Sequence, residues 1–182
     1  MTFELLRPGQ KPSWSGVLPG APEPYFLKDG EGEHSQLYDT LVTVLLSADE
    51  TEGQFGVFTC RQPKGDRILS HKHADVNEIF FVREGAISVF LEHRDGRQER
   101  RLLEPGDFAY VPAGIVHSYR AEAEHNVTLG VSTGGFERFF QALGALTDHN
   151  DVGGMYVPSE DQFAEAFAKY SNIPVPDLKW TV

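Results

Sequence analysis

The sequence predicts an all-β barrel or sandwich that ends in short helices. Three observations carry this: many short runs with strand character, glycine and proline turns between them, and a change of hydrophobic period after about residue 134. Residues 1–36 are rich in Pro and Gly. "PSWSGVLPGAPEPYF" cannot form a long helix, because each proline removes a donor and restricts its neighbour. An irregular, aromatic N-terminal arm is expected there, with Trp14, Tyr25 and Phe26 seeking something to pack against.

From Leu41 the texture changes. "LVTVLL", the polar "SADETEG" and "QFGVFTC" read as strand, loop, strand. "GDRILSH" and "NEIFFVREG" are two more strands. "AISVFLEH" and "ERRLL" flank "RDGRQ", where Asp95-Gly96 is a strong hairpin signal. "DFAYVPAG" with "HSYRA" makes a further strand-turn-strand pair, and "HNVTLGVS" closes the series. In the tail, "GGFERFFQALG" fits a short helix. "PSEDQFAEAFAKYS" fits a longer one, with Ser159 and Gln162 as a capping box and Phe163, Ala166, Phe167 and Tyr170 on one face. The expected organisation is an arm over 1–36, a barrel over 37–133 and a helical extension over 134–182 packed on that barrel.

The 182 residues, 40% of them hydrophobic and thirteen of them Phe, suffice for one domain with its own core. A formal charge of −11 disfavours nucleic acid and anionic lipid as partners. The one tight basic cluster, Arg97, Arg100 and Arg101, is flanked by glutamates and reads as a solvated hairpin surface. Cys60 stands alone, so no disulfide can form within the chain. No apolar run is long enough to cross a membrane, and "MTFELLRPGQ" lacks the pattern of a signal peptide, so a cytoplasmic location is expected.

The chemistry-bearing residues concentrate in "GDRILSHKHADVNEIFFVREG". Side chains alternate across a strand, so His71 and His73 point the same way and Lys72 the other. Glu78, Phe80 and Val82 share a face of the next strand. His117 follows the turn Pro112-Ala113-Gly114, which is placed to return it beside the other three. Three imidazoles and one carboxylate suit a divalent first-row metal, with coordination positions left for substrate or dioxygen. Glu78 is also the candidate general base. The remaining histidines, His34, His93, His125 and His149, are expected in ordinary surface or hydrogen-bonded roles.

The stretch 65–85 resembles the first motif of the cupin superfamily, matching at Gly65, His71, His73, Glu78 and Gly85. "GDFAYVPAGIVHSYRA" resembles the second motif, matching at Gly106, Pro112, Gly114 and His117; Ala121 stands where that motif often has asparagine. The resemblance implies a double-stranded β-helix (jelly-roll) barrel holding one metal through His71, His73, Glu78 and His117. The whole layout is similar to single-domain bacterial quercetinases, which cleave the heterocycle of flavonols such as quercetin with O2 to a depside and carbon monoxide. That likeness implies Ni, Mn, Co or Fe as cofactor, a small aromatic substrate, and a homodimer. An apolar pocket is expected from Tyr25, Phe58, Phe80, Val82 and Tyr119, with Phe136, Phe139 and Phe140 walling the entrance. Rival readings are an oxygenase acting on a diketone or aromatic diol, a metal-dependent sugar isomerase, and a binding module without turnover.

Overall fold

The computed structural model describes residues 5–7, 9–151 and 153–182; Met1, Thr2, Phe3 and Glu4 of the arm, where the absence of a signal peptide was read, lie outside it together with Pro8 and Val152. In chain order the described elements are β1 (Glu33–Leu37), β2 (Thr40–Leu46), β3 (Phe55–Pro63), β4 (Arg67–His73), β5 (Glu78–Glu84), β6 (Ile87–Glu92), β7 (Gln98–Leu103), β8 (Phe108–Val111), β9 (Val116–Ala121) and β10 (His125–Thr133). A 3-10 turn (Phe136–Arg138) leads into α1 (Phe139–Leu143), then β11 (Ala145–Leu146), α2 (Glu160–Lys169) and β12 (Asn172–Pro174).

Two antiparallel sheets face each other, as expected for a jelly roll. One runs β11-β1-β2-β3-β10-β5-β8 and the other β12-β4-β9-β6-β7. The alternation seen in the sequence becomes burial: Phe80 and Val82 of β5, Ile87 and Val89 of β6, and Tyr119 of β9 pack into one interior cluster. Asp95-Gly96 makes the β6–β7 hairpin, with Glu92 facing Gln98.

Two glycines hold the metal-motif strands in place. Gly85 has φ +75°, and a Cβ there would lie 2.2 Å from the His125 carbonyl oxygen, so only glycine fits this turn between β5 and β6. Gly114 has φ +84°, and its N–H donates to the His73 carbonyl at 2.8 Å, tying the turn before His117 to the strand that carries His73.

The arm and tail contribute more sheet than the sequence suggested. Within the span read as an irregular arm, residues from Glu33 onward form β1, which pairs with β2 along its whole length. The tail supplies β11, beside β1, and β12, which pairs Asn172 with His73 and Pro174 with His71. The α2 capping box forms as read: Ser159 Oγ accepts from the Gln162 amide at 3.2 Å, and Gln162 Oε1 accepts from the Ser159 amide at 3.0 Å. Arg138 pins the start of α1 by bonding Glu33 and, at 2.7 Å, Gln141.

Candidate metal centre

β4 presents His71 and His73, the start of β5 presents Glu78, and β9 presents His117, all toward the space between the sheets. Register explains the convergence: His71 lies directly opposite His117 on neighbouring strands. One nitrogen or oxygen from each of the four residues lies within 4.8 Å of the others, and all four are buried. The His71 and His117 ring centroids are 4.2 Å apart, and those of His71 and His73 4.9 Å.

Hydrogen bonding fixes which ring nitrogens face inward. His71 Nδ1 donates to the Leu69 carbonyl at 2.7 Å and His117 Nδ1 donates to the Ile115 carbonyl at 3.1 Å. A carbonyl only accepts, so Nδ1 carries the proton and Nε2 of each neutral ring is left with a free lone pair. Glu78 Oε2 stands 2.9 Å from His117 Nε2 and 3.1 Å from His73 Nε2, yet these three buried atoms have no hydrogen-bond partner. Lone pairs aimed at one another across 3 Å are unfavourable unless a cation lies among them. The donor set fits a divalent transition metal.

Burial and the neighbouring His117 push the His71 imidazole down to about 3. In the metal-free chain burial works to raise the Glu78 carboxyl, but a proton on the His117 or His73 Nε2, donated to the carboxylate where a cation would otherwise sit, outweighs it and holds the carboxyl below the ordinary range. Both shifts have the same consequence for the metal-free chain. The unfolded state binds more protons as pH falls below about 6.5 at His71, and below about 4.5 at Glu78, so each group's stabilising contribution is lost on acidification. Metal-free protein should therefore unfold at progressively lower temperature between pH 7 and pH 4, with a slope of up to about 1.4 kcal/mol per pH unit from His71. A melting temperature flat across that range would contradict the burial of a neutral His71.

A cavity of about 300 Å³ opens beside the four residues, lined by His71, Glu78 and His117 together with Phe58, Phe80 and Tyr119. Two expected pocket residues fall elsewhere. Tyr25 lines a separate groove with Thr43, Leu45 and Arg61, where its hydroxyl donates to the Leu45 carbonyl at 2.6 Å, and its ring packs on the core cluster of Val42, Val44 and Phe58. Val82 has the right strand parity but lies fully buried among Ile87, Val89 and Leu103, in the core cluster rather than along the cavity wall.

The aromatic wall is larger than the sequence indicated. Phe136 packs against His73, its ring centroid 4.4 Å away, and stacks on Phe139 at 5.0 Å. Phe140 meets Phe58 at 4.8 Å, and α2 adds Phe167, 5.4 Å from Phe139, and Phe163. A polar group missed in the sequence also reaches the cavity. Asp66 lines it, held by Thr40 and by Gln62 Nε2 at 2.5 Å, and the same Gln62 nitrogen donates to the Tyr119 hydroxyl at 2.9 Å. Its signal lay in β3 parity: Gln62 occupies the inward series Phe58, Cys60, Gln62, where a polar side chain needs a buried partner. Burial, then Cys60 and Asp66, raise the Tyr119 phenol well above its ordinary value and keep it a donor.

A jelly-roll barrel with three imidazoles and a carboxylate gathered inside it defines a cupin domain, and residues 58–132 match the family model described as Cupin domain. Over most of its length this chain resembles two quercetin 2,3-dioxygenases, one bacterial and one from Aspergillus. It is 37% identical to quercetin 2,3-dioxygenase of Bacillus subtilis over 163 residues, 89% of this chain and 45% of that protein. It is 25% identical to quercetin 2,3-dioxygenase of Aspergillus japonicus over 79% of this chain and 43% of that protein. The chain thus spans about half the length of these curated relatives. Among solved structures, KdgF from Halomonas sp. shares the fold at a TM-score of 0.53 and 19% identity, covering 62% of this chain and 94% of that one. No helix among the described residues is long and apolar enough to cross a membrane.

Proposed function

We propose that the protein is a metal-dependent dioxygenase that opens the heterocycle of a flavonol such as quercetin with O2, giving a depside and carbon monoxide. The observation that carries this reading is the meeting of the three-histidine, one-glutamate cluster with an aromatic-walled cavity. The likeness to two quercetin 2,3-dioxygenases over most of the chain supports it. His71, His73, Glu78 and His117 would hold the metal, of which Ni, Mn, Co and Fe all suit the donor set. When bound by these residues, a metal would supply Lewis-acid charge and redox capacity beside the cavity.

The chain's own residues do the rest. Phe58, Phe80, Phe136 and Phe140 exclude water and hold the planar substrate by its faces. Glu78, ionised at neutral pH, takes the proton of the flavonol 3-hydroxyl at the carboxylate oxygen turned away from His73 and His117. The Nδ1–H bonds of His71 and His117 to backbone carbonyls keep their Nε2 atoms aimed inward.

A mostly apolar lining counts against a sugar isomerase, whose substrate needs many polar anchors; Arg83 lies outside the cavity and Lys72 on the other face of β4. A second copy of this chain is the proposed protein partner. The exposed Phe81, Phe108 and Tyr110, side by side on the outer face of β5 and β8, support it. Location in the cytoplasm belongs to the same proposal.

The test is anaerobic reconstitution with each candidate metal, then quercetin and oxygen, with carbon monoxide detection. Carbon monoxide at one equivalent per flavonol consumed is expected, from a sample that sediments at twice the chain mass. Turnover without carbon monoxide would redirect the assignment to a diketone or diol oxygenase, and no oxygen uptake with any metal would leave a binding module.

A further inference from the structure

We propose that the part of the cavity lined by Tyr119 and Asp66 reads a hydroxyl group on the substrate, with Tyr119 donating to its oxygen and Asp66 accepting its hydrogen. This rests on the flavonol reading and adds to it the feature that selects among flavonols.

Gln62 sets the geometry. It is 1% exposed, and its Nε2 faces both Asp66 Oδ2, at 2.5 Å, and the Tyr119 hydroxyl, at 2.9 Å. A flipped amide would set its carbonyl oxygen against the Asp66 carboxyl, acceptor against acceptor, so the nitrogen must face that side. Both amide hydrogens are then spent, one on each partner. The Tyr119 oxygen is an acceptor in this contact, which frees its own hydrogen. Among the described residues no acceptor takes that hydrogen, and Tyr119 lines the cavity. Asp66 lines it too. A carboxylate offers about four acceptor sites, of which Thr40 and Gln62 use two, both on Oδ2, while the Asp39 carboxyl bonds alongside them. A donor and an acceptor side by side are the complement of a hydroxyl group.

Tyr119 lies two positions beyond His117 on β9 and faces the same way, so the hydroxyl-reading pair borders the metal-capable residues. Asp66 and His71 lie five residues apart along β4 and its lead-in, so their backbones are separated by no more than about 16 Å at about 3.3 Å per residue. The wall around them is mostly apolar, with Phe58, Phe80, Phe140 and Leu143 in it. A ligand lying there has few other places to satisfy such a hydroxyl. Leaving that hydroxyl, or the Tyr119 and Asp66 groups, unpaired in such surroundings weakens binding.

The test compares quercetin with 3-hydroxyflavone, which keeps the 3-hydroxyl and 4-oxo pair and lacks every other hydroxyl. Both are titrated into metal-loaded protein without oxygen, so that binding is read by fluorescence in the absence of turnover. The wild type is expected to prefer quercetin by on the order of tenfold. Tyr119→Phe, which keeps the ring and its packing, and Asp66→Asn, at a half-exposed position, should each collapse that preference by weakening quercetin about tenfold more than 3-hydroxyflavone. Equal binding of the two flavonols by the wild type would overturn the inference. So would a variant that weakens both alike, which is the signature of a structural role. Failure of the wild type to bind either flavonol would instead overturn the flavonol reading itself.

Discussion

Changing His117 to alanine is expected to leave the protein without bound metal. The ring is 1% exposed, opposite His71 in register, with its Nε2 2.9 Å from the Glu78 carboxylate. Losing even an outer hydrogen-bond partner of a metal ligand typically costs about 10–100-fold in affinity, so losing one of four donors should cost more. Elemental analysis after reconstitution and dialysis should find near one equivalent of metal per wild-type chain and a trace in the variant. Turnover should vanish with it. Full metal retention in the variant would mean that His117 is no ligand, and the site described above would lose its geometry.

Glu78→Gln has the second-largest expected effect. Glutamine keeps the size of the side chain and one oxygen that can face a cation, but cannot take a proton at neutral pH. Turnover should fall by about 10²–10⁴, the usual contribution of a positioned general base, while anaerobic flavonol binding changes only a few-fold. Metal content measured on the same sample separates loss of the base from loss of the ion. A variant that turns over at the wild-type rate with metal bound would reject Glu78 as the base.

Much of this architecture was legible because period-2 patterning survives folding unchanged. His71 and His73 face one way because strands alternate, and the Pro112–Gly114 turn returns His117 because its glycine has the positive φ the turn needs. What escaped the sequence depends on contacts between distant segments. "EHSQL" at 33–37 carries few apolar residues, yet Ser35 and Gln36 are fully buried because β2 covers one edge and β11 the other. β11 and β12, two and three residues long, are too short to show any alternation and exist only as added edges. Tyr25 was placed in the pocket on composition alone, and composition does not say which groove an arm will line. The union of Gln62 with Tyr119, 57 positions apart, was invisible for the same reason.

The aromatic wall of the cavity is built largely from Phe136, Phe139, Phe140, Phe163 and Phe167, all of them downstream of the segment that matches the family model. The donor set for the ion lies entirely within that segment. The four metal-capable residues and most of the aromatic wall therefore lie in consecutive stretches of the gene product, with Tyr119 and Asp66 on the upstream side. Drift in the downstream stretch would retune which molecules are admitted without disturbing the inorganic chemistry upstream, which gives this scaffold an inexpensive route to new substrates.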